Sequence, residues 1–151
     1  PQPFEPHLSA DGGLIGTADD YIRFLQMLLN MGKFGAVQLL TEKSVREMIS
    51  NQIGNLSVEI QPGARPELAC SFPIGAGEDK FGLGFQLKAG TSDGGRSAGS
   101  YSWAGLFNTH FWADPQRDIA AVLFTQLLPF YDERYIRLLC DFEEYVYKNL
   151  L

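Results

Sequence analysis

The most informative part of the chain is Gly99-Ser100-Tyr101-Ser102-Trp103-Ala104-Gly105-Leu106-Phe107-Asn108-Thr109-His110-Phe111-Trp112-Ala113-Asp114-Pro115. It predicts a glycine-rich approach to a strand, a Trp-x-Gly at the start of that strand, and then a hairpin. The apolar and aromatic content of residues 102–113 favours one strand over this range. Pro115 follows Asp114 where a type I turn prefers proline. A further strand, apolar on both faces, is predicted over residues 119–125.

Upstream of this part, two helices are predicted from caps and apolar spacing. Thr17 is a candidate N-cap, followed by two acidic residues that complement the helix dipole, and the apolar residues recur at helical spacing over 18–31. Gly32 is expected to end this helix. Thr41 caps a second helix over roughly 42–50. Residues 1–16 are expected to be irregular.

The remaining segments complete an α+β pattern. Residues 51–80 lack periodicity and predict a long loop, with one strand near 56–60; a loop of this length is typical of a segment that covers a site. Residues 81–87 alternate and predict a strand. A last helix is expected from Asp132, because Tyr135, Ile136, Leu139, Phe142, Val146 and Leu150 form one apolar stripe. The predicted fold is α+β, an antiparallel sheet of about three C-terminal strands with the terminal helix packed on it.

Composition narrows the function classes. The 151 residues suffice for one domain, and the net charge of −6 without a basic run argues against nucleic-acid binding. No apolar stretch reaches the ~18 residues that a membrane helix needs. Cys70 and Cys140 fit no metal spacing, Cys140 is expected to be a buried thiol, and we expect neither metal nor cofactor. A periplasmic, extracellular or cytoplasmic location all fit this composition.

Three short motifs are better explained by structure than by chemistry. Residues 95–99 match Gly-x-Ser-x-Gly, but a loop precedes them and a strand follows, which is the wrong context for a nucleophile elbow. Residues 147–149 match Tyr-x-Asn, but they lie inside the predicted terminal helix. We therefore interpret this match as a coincidence. His110 has no orienting acid at a recognisable spacing, so a strand histidine packed between neighbours is the favoured interpretation.

Two blocks of sequence resemble the C-terminal half of the class C β-lactamase-like, penicillin-binding serine hydrolases, which include β-lactamases, DD-peptidases and esterases. The first block is Gly12-Gly13-Leu14 with Thr17-Ala18-Asp19-Asp20 and the helix after them. The second comprises residues 81–85, 99–105, 111–118 and 122–126. The order and spacing of the blocks carry the resemblance.

The resemblance implies the roles of four residues. Trp103-Ala104-Gly105 would be the third active-site motif and line the substrate pocket, and Leu106 would offer its backbone N–H to the oxyanion. A tryptophan where β-lactamases have a lysine removes a cation that would hold a substrate carboxylate. Esters or amides without charge are therefore expected rather than β-lactams.

The family's nucleophile motif, Ser-x-x-Lys, does not occur in this chain, since none of the lysines at positions 33, 43, 80, 88 and 148 has a serine three residues earlier. Because the serine needs a base one helical turn away, we expect this chain alone to be inactive. Its first residues, Pro1-Gln2-Pro3, resemble a cut end or a linker.

We therefore interpret residues 1–151 as the C-terminal portion of a serine hydrolase domain: 1–50 end its helical region, 51–80 form the loop, and 81–151 form the sheet and terminal helix. An unpaired sheet edge and an uncovered apolar face are expected. The expected partners are a small-molecule substrate and either the missing N-terminal half or a second copy. Two alternatives remain open: a non-catalytic binding or assembly domain of the same family, and an unrelated α+β ligand-binding domain.

Overall fold

The structure, a computed structural model, describes residues 14–91 and 94–149. Its elements in chain order are α1 (Ala18–Leu29), β1 (Lys33–Phe34), β2 (Val37–Gln38), α2 (Glu42–Met48), β3 (Lys80–Phe81), β4 (Gln86–Leu87), β5 (Tyr101–Gly105), β6 (Thr109–Asp114), β7 (Ile119–Leu123) and α3 (Glu133–Asn149). The irregular segment predicted over 1–16 lies largely outside the described residues, as do Gly12, Gly13 and Leu150.

Both predicted N-caps are confirmed. The Thr17 hydroxyl accepts a hydrogen bond from the Asp20 backbone N–H at 3.1 Å, and the Asp20 carboxylate accepts one from the Thr17 backbone. This reciprocal pair satisfies two backbone donors at the start of α1. Thr41 caps α2 with its hydroxyl alone, which accepts a hydrogen bond from the Ser44 N–H at 3.1 Å.

Both helices end earlier than predicted, at Leu29 and Met48. After α1, Gly32 adopts a φ of 88°, and a Cβ at this position would lie 2.1 Å from the Leu40 carbonyl oxygen. Only glycine fits this close approach. The segment predicted as a turn after Gly32 forms the two-stranded ladder β1–β2.

The main sheet has five antiparallel strands in the order β3-β4-β5-β6-β7. Two predicted strands are each split by a turn. The strand predicted over 81–87 is the hairpin β3–β4, because Gly84 adopts a φ of 92° between its halves. The strand predicted over 102–113 is β5 and β6, because Asn108, at a φ of 58°, reverses the chain. The α+β class and the terminal helix on an antiparallel sheet are confirmed.

The two faces of the sheet are covered by different helices. Alternate residues of β6 point to opposite faces, as the two-residue period of a strand requires. On one face Phe111 and Ala113 join the core cluster that contains Leu25 and Leu28 of α1. On the other, Trp112 joins the cluster that contains Leu139 of α3. The prediction of an uncovered apolar face is therefore wrong for the centre of the sheet, because α1 and α3 both pack on it.

The edge strand β7 behaves as predicted. Among the described residues it pairs with β6 and with no second strand. No strand forms near residues 56–60; the loop is organised instead by an isolated antiparallel bridge between Gln61 and Phe72. None of the described helices is long and apolar enough to cross a membrane.

Candidate functional site

The turn between β5 and β6 carries the residue expected to serve the oxyanion. The Asn108 N–H donates to the Gly105 carbonyl at 3.0 Å, which closes a tight turn over residues 105–108. Asn108 then adopts the left-handed conformation that a three-residue hairpin loop requires. Leu106 is the first loop residue, and its backbone N–H donates to no acceptor among the hydrogen bonds of residues 14–91 and 94–149. It is therefore an uncommitted donor.

Gly105 has a packing reason to be glycine. It pairs with Thr109 across the hairpin, and a Cβ on Gly105 would lie 2.5 Å from the Thr109 hydroxyl oxygen. The contact that excludes a side chain at this position is therefore with the neighbouring strand.

Trp103, Ala104, Gly105 and Leu106 lie together along one pocket of about 240 Å³. Its other lining residues are Gln61, Phe72 and Phe130. The structure thus brings all four residues expected from the resemblance to the same cavity. Their roles toward a substrate remain predictions.

The opposite wall of this pocket comes from two segments without regular secondary structure. The Phe72 ring meets the Trp103 ring edge to face at a centroid distance of 6.4 Å and lies 5.5 Å from the Phe130 ring. Sequence reasoning missed Gln61, Phe72 and Phe130, since no periodicity marks them. The signal available was the length of loop 51–80 itself, which indicated a segment that covers a site.

Asn108 connects this wall to the turn that carries Leu106. Its side chain is fully buried. The amide nitrogen donates to the carbonyls of Leu127 and Pro129 at 3.0 and 2.9 Å, and the amide oxygen accepts from the Tyr131 N–H at 2.7 Å. One side chain thereby fixes the segment that bears Phe130 relative to the β5–β6 turn.

The lining of the pocket is uncharged. None of its lining residues carries a charge. Behind the wall lies His110, which is 6% exposed and stacks on Phe130 at 6.0 Å. Burial, and secondarily the charge of Arg96, lowers the pKa of His110 to about 4. The imidazole is therefore neutral near pH 7, and the prediction of a packed strand histidine is confirmed.

The segments that match Gly-x-Ser-x-Gly and Tyr-x-Asn both contact one buried carboxylate, that of Asp114. Asp114 accepts hydrogen bonds from the Ser97 N–H at 2.9 Å and from the Tyr147 hydroxyl at 3.0 Å. Burial acts to raise the pKa of Asp114, but these hydrogen bonds outweigh it and hold the pKa below its ordinary value. The loop of residues 95–99 and the end of α3 are thus tied to the end of β6.

The two cysteines are free and exposed. The prediction of a buried Cys140 thiol is wrong, because Cys140 follows Leu139 on α3 and is rotated about 100° from the buried stripe. Within the described ranges, no group of three or more His, Cys, Asp or Glu side chains could hold a metal ion.

The comparisons with known proteins agree with this architecture. The family model for Beta-lactamase matches residues 1–139. Protein Rv1367c of Mycobacterium tuberculosis strain H37Rv and protein MT1414 of strain CDC 1551 are each 32% identical to the chain over 126 residues. These matches cover 80% of this chain and 29% of each relative.

Two solved structures share the fold. The LovD9 mutant of simvastatin synthase from Aspergillus terreus superposes with a TM-score of 0.64 at 20% identity over 86% of this chain and 34% of that one. A penicillin-binding protein homolog from Caulobacter crescentus gives a TM-score of 0.54 at 18% identity over 82% and 30%. The chain thus spans about a third of the length of the proteins it matches. Because the family model covers most of its residues, the chain belongs to the β-lactamase family.

Proposed function

We propose that residues 1–151 are the C-terminal portion of a serine hydrolase and supply the oxyanion donor and part of the substrate pocket. In this assignment residues 1–50 end the helical region, 51–80 form the loop over the pocket, and 81–151 form the sheet and terminal helix. The observation that carries the proposal is the uncommitted N–H of Leu106 at the rim of the pocket that Phe72 closes. Membership of the β-lactamase family supports it.

In the proposed reaction, a serine hydroxyl supplied from outside this chain attacks the carbonyl carbon of an ester or amide. As the new C–O bond forms, the carbonyl electron pair moves onto oxygen, and Leu106 donates its N–H to this oxyanion. The tetrahedral adduct then expels the alcohol or amine, which takes up the proton of the serine. Water finally hydrolyses the acyl-serine ester and releases the acid.

We further propose neutral esters or amides as substrates. Trp103 occupies the motif position at which a lysine would bind a carboxylate, and the other residues that line the pocket carry no cation. Comparing hydrolysis of a neutral ester with hydrolysis of a β-lactam by the complete gene product tests this. A strong preference for the β-lactam would contradict it.

The proposed partner binds at the edge of the sheet. β7 has a strand neighbour on one side among the described residues. A groove of about 350 Å³ runs beside it, between Ile22 of α1 and Tyr145 of α3. An unpaired strand edge next to an apolar groove is a surface on which another strand can add. We propose that the missing N-terminal half of the domain, or a second copy of this chain, occupies it.

The test of the catalytic proposal is the intact mass of the complete gene product before and after a fluorophosphonate probe. The proposal expects one adduct, and peptide mapping should place it on a serine outside residues 1–151. Absence of an adduct on a folded, longer protein would instead favour a non-catalytic binding or assembly domain of the family.

A further inference from the structure

The inner surface of the pocket is aromatic on three sides. Phe72, Trp103 and Phe130 all line it. Phe72 is 8% exposed and forms the centre of this wall, since its ring contacts both of the others. Phe72 meets Trp103 edge to face and Phe130 at a tilt, and aromatic rings favour offset or edge-to-face contacts with other rings, so a further ring suits this wall.

The wall is held by the backbone. Gln61 and Phe72 exchange two hydrogen bonds, at 3.1 and 2.9 Å. The Cys70 N–H donates to the Phe130 carbonyl at 2.9 Å, and the Phe130 N–H donates to the Leu68 carbonyl at 2.7 Å. The segments that bear Phe72 and Phe130 are therefore fixed to each other, which holds both rings in the wall of the pocket.

The size and polarity of the cavity define what fits. Gln61 is the one lining residue with a polar side chain. An engineered cavity of about 150 Å³ in another protein holds benzene. A cavity of about 240 Å³ therefore has room for an aromatic ring and its substituent, and Phe72 is a lining residue whose truncation would enlarge it.

We propose that this pocket binds an uncharged acyl group of one aromatic ring, and that Phe72 sets the depth to which the ring enters. The inference rests on the proposed function, because the acyl carbonyl is placed at the Leu106 N–H. Phe72 is then the residue that determines the size of the acyl group.

Equilibrium binding to the complete gene product tests the inference with benzamide, benzoate and 2-naphthamide as probes. We expect benzamide to bind at least tenfold more tightly than benzoate, because the residues of this chain that line the pocket carry no cation to offset desolvation of the carboxylate. Benzamide should also bind more tightly than 2-naphthamide. In Phe72→Ala, the order of benzamide and 2-naphthamide should reverse. If the alanine variant fails to fold, Phe72→Leu is measured in its place. It changes the side-chain volume less, so it should narrow the difference in affinity between benzamide and 2-naphthamide.

Phe107→Ala is the matched control, since Phe107 is 44% exposed and its side chain does not line the pocket. Phe107→Ala should bind benzamide, benzoate and 2-naphthamide with the same order of affinity as the wild-type protein. Equal binding of benzamide and benzoate, or an unchanged order in folded Phe72 variants, would overturn the inference. Failure of the two proposals is distinguishable. A fluorophosphonate adduct without ring selectivity refutes only the pocket inference, whereas selective binding without an adduct refutes only the catalytic proposal.

Discussion

At the scale of single residues, Leu106 is the clearest test of the proposed chemistry because its contribution comes from the backbone. It is the second residue of the turn closed by the Asn108 N–H and the Gly105 carbonyl. Proline is favoured at this position of a type I turn and has no N–H to donate. One substitution can therefore remove the donor while the turn is retained.

We predict that Leu106→Pro in the complete gene product lowers kcat for a neutral ester by about 10²–10³-fold, the usual cost of losing an oxyanion donor. Leu106→Ala keeps the N–H and removes the side chain, so its kcat should stay within a few-fold of wild type. Steady-state kinetics together with circular dichroism check both variants. Equal kcat values for the two folded variants would contradict the proposed role of the N–H.

His110 gives a prediction about stability rather than chemistry. Its pKa is about 4 in the folded protein and 6.5 in its ordinary state. Between these values the unfolded chain binds more protons, so the free energy of unfolding falls as the pH is lowered from 6.5 towards 4. The stability contributed by the neutral imidazole is complete above pH 6.5.

His110→Gln should therefore reduce the loss of stability between pH 7 and pH 4.5 by about 2 kcal/mol. Urea denaturation of the complete protein at both pH values measures this difference. An identical pH dependence in His110→Gln and wild type would show that the imidazole does not titrate as inferred.

At the scale of elements, the β5–β6 turn and the segment of residues 127–131 behave as one unit through Asn108. We predict that Asn108→Gly, which tolerates the φ of 58°, lowers the free energy of unfolding by about 1–3 kcal/mol, because it leaves buried carbonyls and an N–H unpaired. Asn108→Asp should lower the free energy of unfolding further, because a carboxylate oxygen would then face the carbonyl oxygens of Leu127 and Pro129. Chemical denaturation ranks the variants, and an aspartate variant as stable as wild type would refute this network.

The helices and strands also show which features could be predicted from neighbouring residues in the sequence. The cap at Thr17 and the stripe of α3 were predictable because each depends on neighbours within one or two helical turns. The strand over 102–113 was predicted without its turn, because apolar and aromatic residues stand on both sides of Asn108, and the pairing of Gly105 with Thr109 shows the reversal. Three of the four residues expected at the site came from a short motif. Phe72 and Phe130 came from aperiodic segments, whose positions depend on long-range backbone hydrogen bonds.

At the scale of the whole molecule, the chain combines a well-packed centre with an incomplete border. Both faces of β6 are covered, by α1 and by α3. Among the residues that the structure describes, β7 in contrast has a strand neighbour on one side only, beside a groove of about 350 Å³. The chain spans about a third of the length of its relatives, and the proposed partner surface is this edge.

We predict that the 151-residue chain by itself self-associates through β7. Ala120 lies on this strand, lines the groove and packs half-buried against the core cluster that contains Leu25. Ala120→Lys therefore places a charge in the groove beside the strand edge, which disfavours strand addition. Sedimentation velocity should show oligomers for the wild-type chain and a shift to monomer for Ala120→Lys, with the far-ultraviolet circular dichroism unchanged. Ala89→Lys adds the same charge at an exposed position away from β7 and should still associate. A folded wild-type chain that sediments as a monodisperse monomer would contradict the prediction, because an open edge of this kind would then be stable in water without a partner.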